Sequence, residues 1–211
     1  MFRYIVIEGP IGVGKTSLAR LLAKEFNARM VIEKPEENPF LKQFYQDRKK
    51  YAFQTQLFFL LNRFQQQKEI AQLDLFNQVT VSDYLFAKDR IFASINLDDH
   101  ELALYMQTYQ LLNGQIPTPD LIIFLQAKPE ILVHRIRSRG HSYEKEIDLD
   151  YLKILTEAYN YYFFHYDQSP LLIVDTSEID FVKRKEDLSQ LIREIKQMRK
   201  GTSYFIPKRS K

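Results

Sequence analysis

The chain has no cysteine and no tryptophan among its 211 residues. Without cysteine there is no disulfide framework and no thiolate metal site, which fits a reducing, cytoplasmic setting. No apolar run approaches the roughly 18–20 residues that span a bilayer. The N-terminus enters a strand-like segment, FRYIVIEG, without the basic, apolar and small-residue succession of a secretion signal. One-signed charge is also scarce. The net charge is +3, but Lys200, Lys208, Arg209 and Lys211 sit in the last stretch with no acid beside them. The mild basicity therefore belongs to a tail, 200–211, read as a frayed end, and neither nucleic acid nor membrane is expected as a partner. His100, His134 and His165 are scattered and form no ligand cluster. Glycine numbers only six, yet three of them stand together at 9, 12 and 14.

Five short apolar runs read as strands: 4–8, 29–33, 78–83, 120–126 and 170–175. Several are apolar at consecutive positions, which suits a parallel sheet covered on both faces. Helical patterns fall at about 15–26, 51–73, 98–114, 129–138, 149–166 and 183–199. This alternation predicts a single three-layer α/β domain over 1–199 with a five-stranded parallel sheet and helices on both faces. The polar interruption between the helices ending near 138 and beginning near 149 predicts a short lid, about 136–147. In the helix 51–73, Phe53, Leu57, Leu60, Leu61 and Phe64 recur at core spacing, while Gln56 and Arg63 lie two turns apart on a similar face. The aromatic run YNYYFFHY, 159–166, reads as packing or a subunit contact.

Gly9-Pro10-Ile11-Gly12-Val13-Gly14-Lys15-Thr16 fits G-x-x-x-x-G-K-T/S, with a strand before it and a helix from Ser17 after it. Glycines let successive N–H groups turn inward on an anion, and the helix dipole adds to the attraction. Lys15 is placed to reach the β- and γ-phosphates of ATP, and the Thr16 hydroxyl to ligate Mg²⁺. Asp83 closes the third strand, where a second carboxylate near Mg²⁺ is expected. There is no N-K-x-D and no Asp three residues before a glycine, which disfavours GTPases; the chain is short for an AAA-type motor. Small-molecule phosphoryl transfer remains. Glu33 closes the second strand, beside the phosphate loop, where a carboxylate can accept the proton of an attacking hydroxyl.

Taken together, GPIGVGKTS, EKPEENPFLKQFYQD, FQTQLFFLLNRF, SDYLFAKDRIFA, RIRSRGHSYEKEI and VDTSEIDF are similar to the motifs of the deoxynucleoside kinases, in order and in internal spacing. The resemblance covers nearly the whole chain and is strongest to the bacterial deoxyadenosine/deoxyguanosine type. It implies a P-loop kinase fold, ATP as donor with Mg²⁺, a deoxynucleoside as acceptor, and a homodimer. It further implies that Glu33 accepts the 5′-hydroxyl proton, that Tyr45 and Glu144 hold the sugar 3′-hydroxyl, and that Gln56, Arg63 and Asp89 read the base edge. Arg135 and Arg139 match lid arginines that grip donor phosphates, and Asp180 and Phe181 match the loop beside the donor adenine. Phe58, Phe92 and Tyr84 are candidates to stack on the base.

The residue chemistry fits these roles. A carboxamide such as Gln56 donates and accepts at once, as a purine or cytosine edge requires. A paired Arg63 and Asp89 rejects bases that leave the pair unmatched, which weighs against thymidine. Three positions depart from the family's usual pattern. Lys34 separates Glu33 from the proline, Tyr84 follows Asp83 where an arginine is common, with Lys88 on the same segment as its substitute, and His141 replaces a lid arginine. Two alternatives stay open on the residues alone: a nucleoside monophosphate kinase such as thymidylate kinase, and a non-catalytic ATP-binding regulator.

Overall fold

The computed structural model describes residues 2–73, 79–141, 144 and 146–206, with the side chains of 71–73 excepted. Residue 78 of the third expected strand, 142, 143 and 145 of the expected lid, and Lys208, Arg209 and Lys211 of the expected tail lie outside the described residues. Six parallel strands form one sheet in the order β2-β3-β1-β4-β5-β6. They are β1 (Tyr4–Glu8), β2 (Arg29–Val31), β3 (Thr80–Ser82), β4 (Leu121–Gln126), β5 (Leu171–Asp175) and β6 (Thr202–Phe205). The eight α-helices among the described residues are α1 (Lys15–Glu25), α2 (Leu41–Gln46), α3 (Arg48–Leu73), α4 (Lys88–Asn96), α5 (Asp99–Asn113), α6 (Pro129–Arg139), α7 (Leu149–Phe164) and α8 (Lys185–Gln197).

The α/β class and the parallel sheet agree with the sequence reading, but the strand count among the described residues is six, not five. The sixth, β6, lies inside the segment read as a frayed tail. It pairs in register with β5, Leu171 opposite Thr202 through Val174 opposite Phe205. Its four residues are mostly exposed, so they lack the apolar run that marked the other strands. Two further elements carried too little periodicity to be read: α2, six residues long, and α4, which begins at Lys88. The long helix starts at Arg48 rather than 51, and β2 stops at Val31, leaving Glu33 two residues beyond it.

Consecutive burial explains the central strands: β1 is buried at all five positions and β4 at its first five. Strands covered on both faces need apolar side chains on both. Helix α1 lays Leu18, Ala19 and Leu22 into this core. From α7, Tyr159 and Phe163 stack on Phe124 of β4, the nearer ring at 4.2 Å between centroids. Capping sets where helices begin. Asp98 and Glu101 form a reciprocal capping box at α5, and Asp148 accepts the Tyr151 N–H at α7. Gly140, at φ 75°, ends α6 in the left-handed turn that suits glycine.

The chain leaves β1 for β2 on one side, returns through β3, and crosses to β4 on the other side of β1. Such a reversal opens a crevice at the carboxyl ends of the strands. The loop from Gly9 to Gly14, the Glu33 segment and Asp83 all emerge there.

Candidate active site

The site begins where β1 ends. Glu8 is fully buried; its Oε1 accepts the Gly9 N–H at 2.8 Å and the Tyr159 hydroxyl at 3.1 Å, and its Oε2 accepts the Leu85 N–H at 2.7 Å. One carboxylate thus fixes the root of the phosphate loop to α7 and to the segment after β3. Sequence reasoning passed over Glu8; the signal was an acid closing an otherwise apolar strand. Gly9 sits at φ 150°, and a Cβ there would lie 2.4 Å from the Leu125 carbonyl oxygen. Gly14 caps α1 at φ 108° with no side-chain cap and no acid in the first turn, so the amides of that turn and the dipole face the crevice.

Lys15 donates to the carbonyls of Gly9 at 2.6 Å and Pro10 at 3.1 Å, folding back over its own loop. Burial, reinforced by repulsion from Lys88, pushes its ammonium down to about 8. A polyanion arriving here meets a cation that gains from it. Thr16 donates its hydroxyl to Asp83 Oδ2 at 2.5 Å, and Asp83 Oδ1 accepts the Glu33 N–H at 2.9 Å. A hydroxyl and a carboxylate side by side are hard oxygen donors of the kind Mg²⁺ takes in small number beside substrate phosphates.

Across a cavity of about 560 Å³, Glu33 faces this loop. Arg63, from α3, donates to Glu33 Oε1 through Nε at 2.9 Å and through Nη2, and to Asp89 Oδ1 through Nη1. Lys88 donates to Glu33 Oε2 at 2.5 Å. All three partners of Glu33 and Arg63 are buried, Asp89 completely. Burial alone raises the Glu33 carboxyl, but Arg63 and Lys88 overcome that and hold it well below the usual carboxylate range. Asp89 has only a share of Arg63; burial dominates and pushes its carboxyl up to about 7. Two buried polar atoms of this wall, Gln56 Oε1 and Asp89 Oδ2, have no hydrogen-bond partner. Buried groups of this kind favour a ligand that supplies the missing donors.

The expected residues separate into three groups. Ile11, Gly12, Gly14, Thr16 and Ser17 line the cavity from the loop side, and Tyr45, Gln56, Arg63 and Glu144 from the opposite wall. Gly9, Pro10 and Asp89 stand behind the surface and act through Lys15 and Arg63. Val13, Arg135, Asp180 and Phe181 line an adjoining hollow of about 240 Å³ on the far side of the loop, and Arg139 borders both. Arg135 donates to the Val13 carbonyl, to Thr176 Oγ1 at 3.1 Å and to the Thr176 carbonyl at 2.8 Å, so it braces the loop against the end of β5. Arg139 pairs with Glu144. Of the aromatics, Phe44, Tyr45, Phe59 and Phe92 reach the cavity. Tyr84 does not: it is fully buried with its hydroxyl on Gln66 Oε1 at 2.7 Å. Phe58 is absent from the lining as well; its neighbour Phe59 lies under the Arg63 guanidinium at 4.7 Å instead.

A glycine loop between a buried strand and an uncapped helix, with lysine, threonine and a carboxylate at its mouth, defines a P-loop phosphoryl-transfer enzyme. The opposed wall, with a carboxylate and base-sized polar groups, narrows that class. A protein-family model described as deoxynucleoside kinase matches residues 5–200. Deoxyguanosine kinase of Bacillus subtilis (strain 168) is 36% identical over 200 residues, covering 92% of this chain and 97% of that one. Deoxyadenosine kinase of Dictyostelium discoideum is 37% identical over 194 residues, covering 90% and 78%. A structure of deoxyadenosine kinase from M. mycoides with the products dCMP and a flexible dCDP bound superposes with a TM-score of 0.81 at 27% identity, covering 92% of this chain and 98% of that chain. The same enzyme with bound dATP gives 0.80 at 26%, covering 91% and 98%. The chain belongs to the deoxynucleoside kinase family.

Proposed function

We propose that the protein transfers the γ-phosphoryl of Mg·ATP to the 5′-hydroxyl of a purine deoxynucleoside, with deoxycytidine as a slower acceptor. The observation that carries this reading is the position of Glu33: a carboxylate, held by two cations, on the cavity wall opposite Lys15 and Thr16. The triphosphate lies on the loop amides and the uncapped start of α1. Thr16 and Asp83 would hold Mg²⁺, which would supply neutralisation of the phosphate charge. The sugar alcohol lies between Glu33 and the terminal phosphoryl. As its oxygen forms a bond to phosphorus, the bond from phosphorus to the ADP oxygen breaks, the electron pair leaves with ADP, and the hydroxyl proton passes to Glu33. The transition state is loose, so alignment counts for as much as proton transfer.

Gln56 and Arg63 face the base, with Asp89 behind them acting through Arg63, and the partnerless Gln56 Oε1 favours an amino-bearing edge. Tyr45 and Glu144 hold the 3′-hydroxyl. Arg139 closes on the donor from a lid at 136–147 and Arg135 meets it from the helix leading into that lid, with Asp180 and Phe181 against its adenine. The proposal includes a cytoplasmic homodimer, as the family resemblance implies. A free-nucleoside acceptor is favoured over a nucleoside monophosphate, because Arg63, Lys88 and Arg139 on the acceptor side are each already paired with a carboxylate. Family membership likewise leaves no support for a non-catalytic ATP-binding regulator.

The deciding experiment presents purified protein and Mg·ATP with each of the four deoxynucleosides and their monophosphates. Deoxyguanosine and deoxyadenosine should be phosphorylated fastest and thymidine poorly. Glu33→Gln should lower turnover by about 10²–10⁴-fold while ATP binding survives. Phosphorylation of monophosphates alone overturns the reading, and so does unchanged turnover in Glu33→Gln.

A further inference from the structure

Lys88 is the first residue of α4, 6% exposed, with its ammonium 2.5 Å from Glu33 Oε2 and 5.6 Å from the centroid of the Phe92 ring. It lines the same cavity as Lys15 and Thr16. Burying an ammonium is costly unless it is paired, and its partner Glu33 is a carboxylate that Arg63 already occupies from the other side. Arg63 has two carboxylates to hold, and Lys88 one.

That surplus creates a difficulty for the chemistry. Both oxygens of Glu33 are taken, Oε1 by Arg63 and Oε2 by Lys88, so neither is open to a 5′-hydroxyl. For Glu33 to accept a proton, one cation has to let go as the proton arrives. Arg63 is pinned: its planar fork spans Glu33 and Asp89 and lies over Phe59. Lys88 is a single ammonium on a flexible stem. A second observation says where it goes. Lys88 and Lys15 face one cavity, and an anion between two like charges there is attracted by both.

We propose that Lys88 is a catalytic residue that changes partner during the reaction, holding Glu33 before transfer and taking the oxygens of the transferred phosphoryl as Glu33 takes the 5′-hydroxyl proton. The hand-over leaves the new monophosphate between Lys15 and Lys88, and a neutral Glu33 beside it. This inference rests on the 5′-phosphorylation reading above.

The test compares binding of deoxyguanosine and deoxyadenosine with binding of their 5′-monophosphates, together with kcat. Lys88→Met should leave nucleoside affinity within about threefold, weaken the monophosphate at least about tenfold, and lower kcat on the order of a hundredfold. Lys88→Arg should recover most of both losses. Equal weakening of nucleoside and monophosphate overturns the proposal, as does a kcat within about threefold of the unaltered protein. If Lys88→Met does not fold, the charge-balanced pair Glu33→Gln with Lys88→Met is compared with Glu33→Gln alone. The selective loss of monophosphate affinity must persist there; its absence overturns the assignment. Normal turnover of deoxynucleosides with an unchanged affinity ratio sinks only the role of Lys88. No turnover of any deoxynucleoside sinks the 5′-kinase reading and this one with it.

Discussion

Thr16 gives its hydroxyl hydrogen to Asp83 Oδ2 at 2.5 Å, joining the first turn of α1 to the residue that follows β3. The second oxygen of the same carboxylate receives the Glu33 N–H. Donor loop and acceptor segment therefore share one side chain. Burial raises the Asp83 carboxyl, and its bonds from Thr16 and from the Glu33 backbone pull it back only in part.

Asp83→Asn should lower kcat on the order of a hundredfold and shift the Mg²⁺ concentration for half-maximal rate upward, with the nucleoside KM little changed. A rate titration against Mg²⁺ reads both effects. Chelation of the metal should abolish turnover in the unaltered protein.

Asp89 predicts a pH dependence of stability. Burial pushes its carboxyl up to about 7, against Arg63, which pulls it down. The native state then binds a proton that the unfolded state has already released above its ordinary value of about 4. A raised native value gives stability that is complete below the unfolded value and lost as pH rises through 7. Relative to Asp89→Asn, the unaltered protein should lose about 2 kcal/mol between pH 5.5 and 8. Denaturant titrations of both proteins at several pH values measure the difference.

The proposed contacts of Tyr45 and Glu144 with the sugar predict discrimination against acceptors lacking the 3′-hydroxyl. Glu144 is buried and already holds Arg139, so a missing hydroxyl leaves the wall short of a donor. The unaltered protein should prefer a 2′-deoxynucleoside over its 2′,3′-dideoxy analogue by about tenfold or more in kcat/KM. Tyr45→Phe and Glu144→Gln should each narrow that ratio, read by competition between the two acceptors.

Gly9 predicts a backbone effect. Its φ of 150° and the 2.4 Å approach to the Leu125 carbonyl leave no room for a Cβ. Gly9→Ala should cost about 2 kcal/mol or more and lower the melting temperature by roughly 6 °C. Gly114→Ala, where a Cβ meets nothing within 4 Å, is the matched control and should be near neutral.

Much of this arrangement was readable from letters because it rests on local patterns. The phosphate loop needs glycines at fixed offsets, and β1 and β4 need apolar runs. Arg63 and Asp89 are paired as their chemistry suggested. The parts that were not readable depend on the third dimension. β6 is stabilised by its pairing with β5, not by its own hydrophobicity. Tyr84 and Phe58 looked equivalent to Phe92, but which ring faces the cavity is decided by the rotation of α3 and by the turn before α4. Glu8 appeared as the last residue of a strand, and its three bonds come from segments far away in sequence. The hold of Arg135 on Val13 and Thr176 could not be read either, because it depends on where β5 ends.

The two outer strands carry a consequence for handling at high concentration. β2 has three residues and β6 four, so each flank of the sheet offers only a brief row of free amides and carbonyls. Rows that short are poor templates for recruiting another molecule's backbone, which disfavours fibrous self-assembly along the sheet.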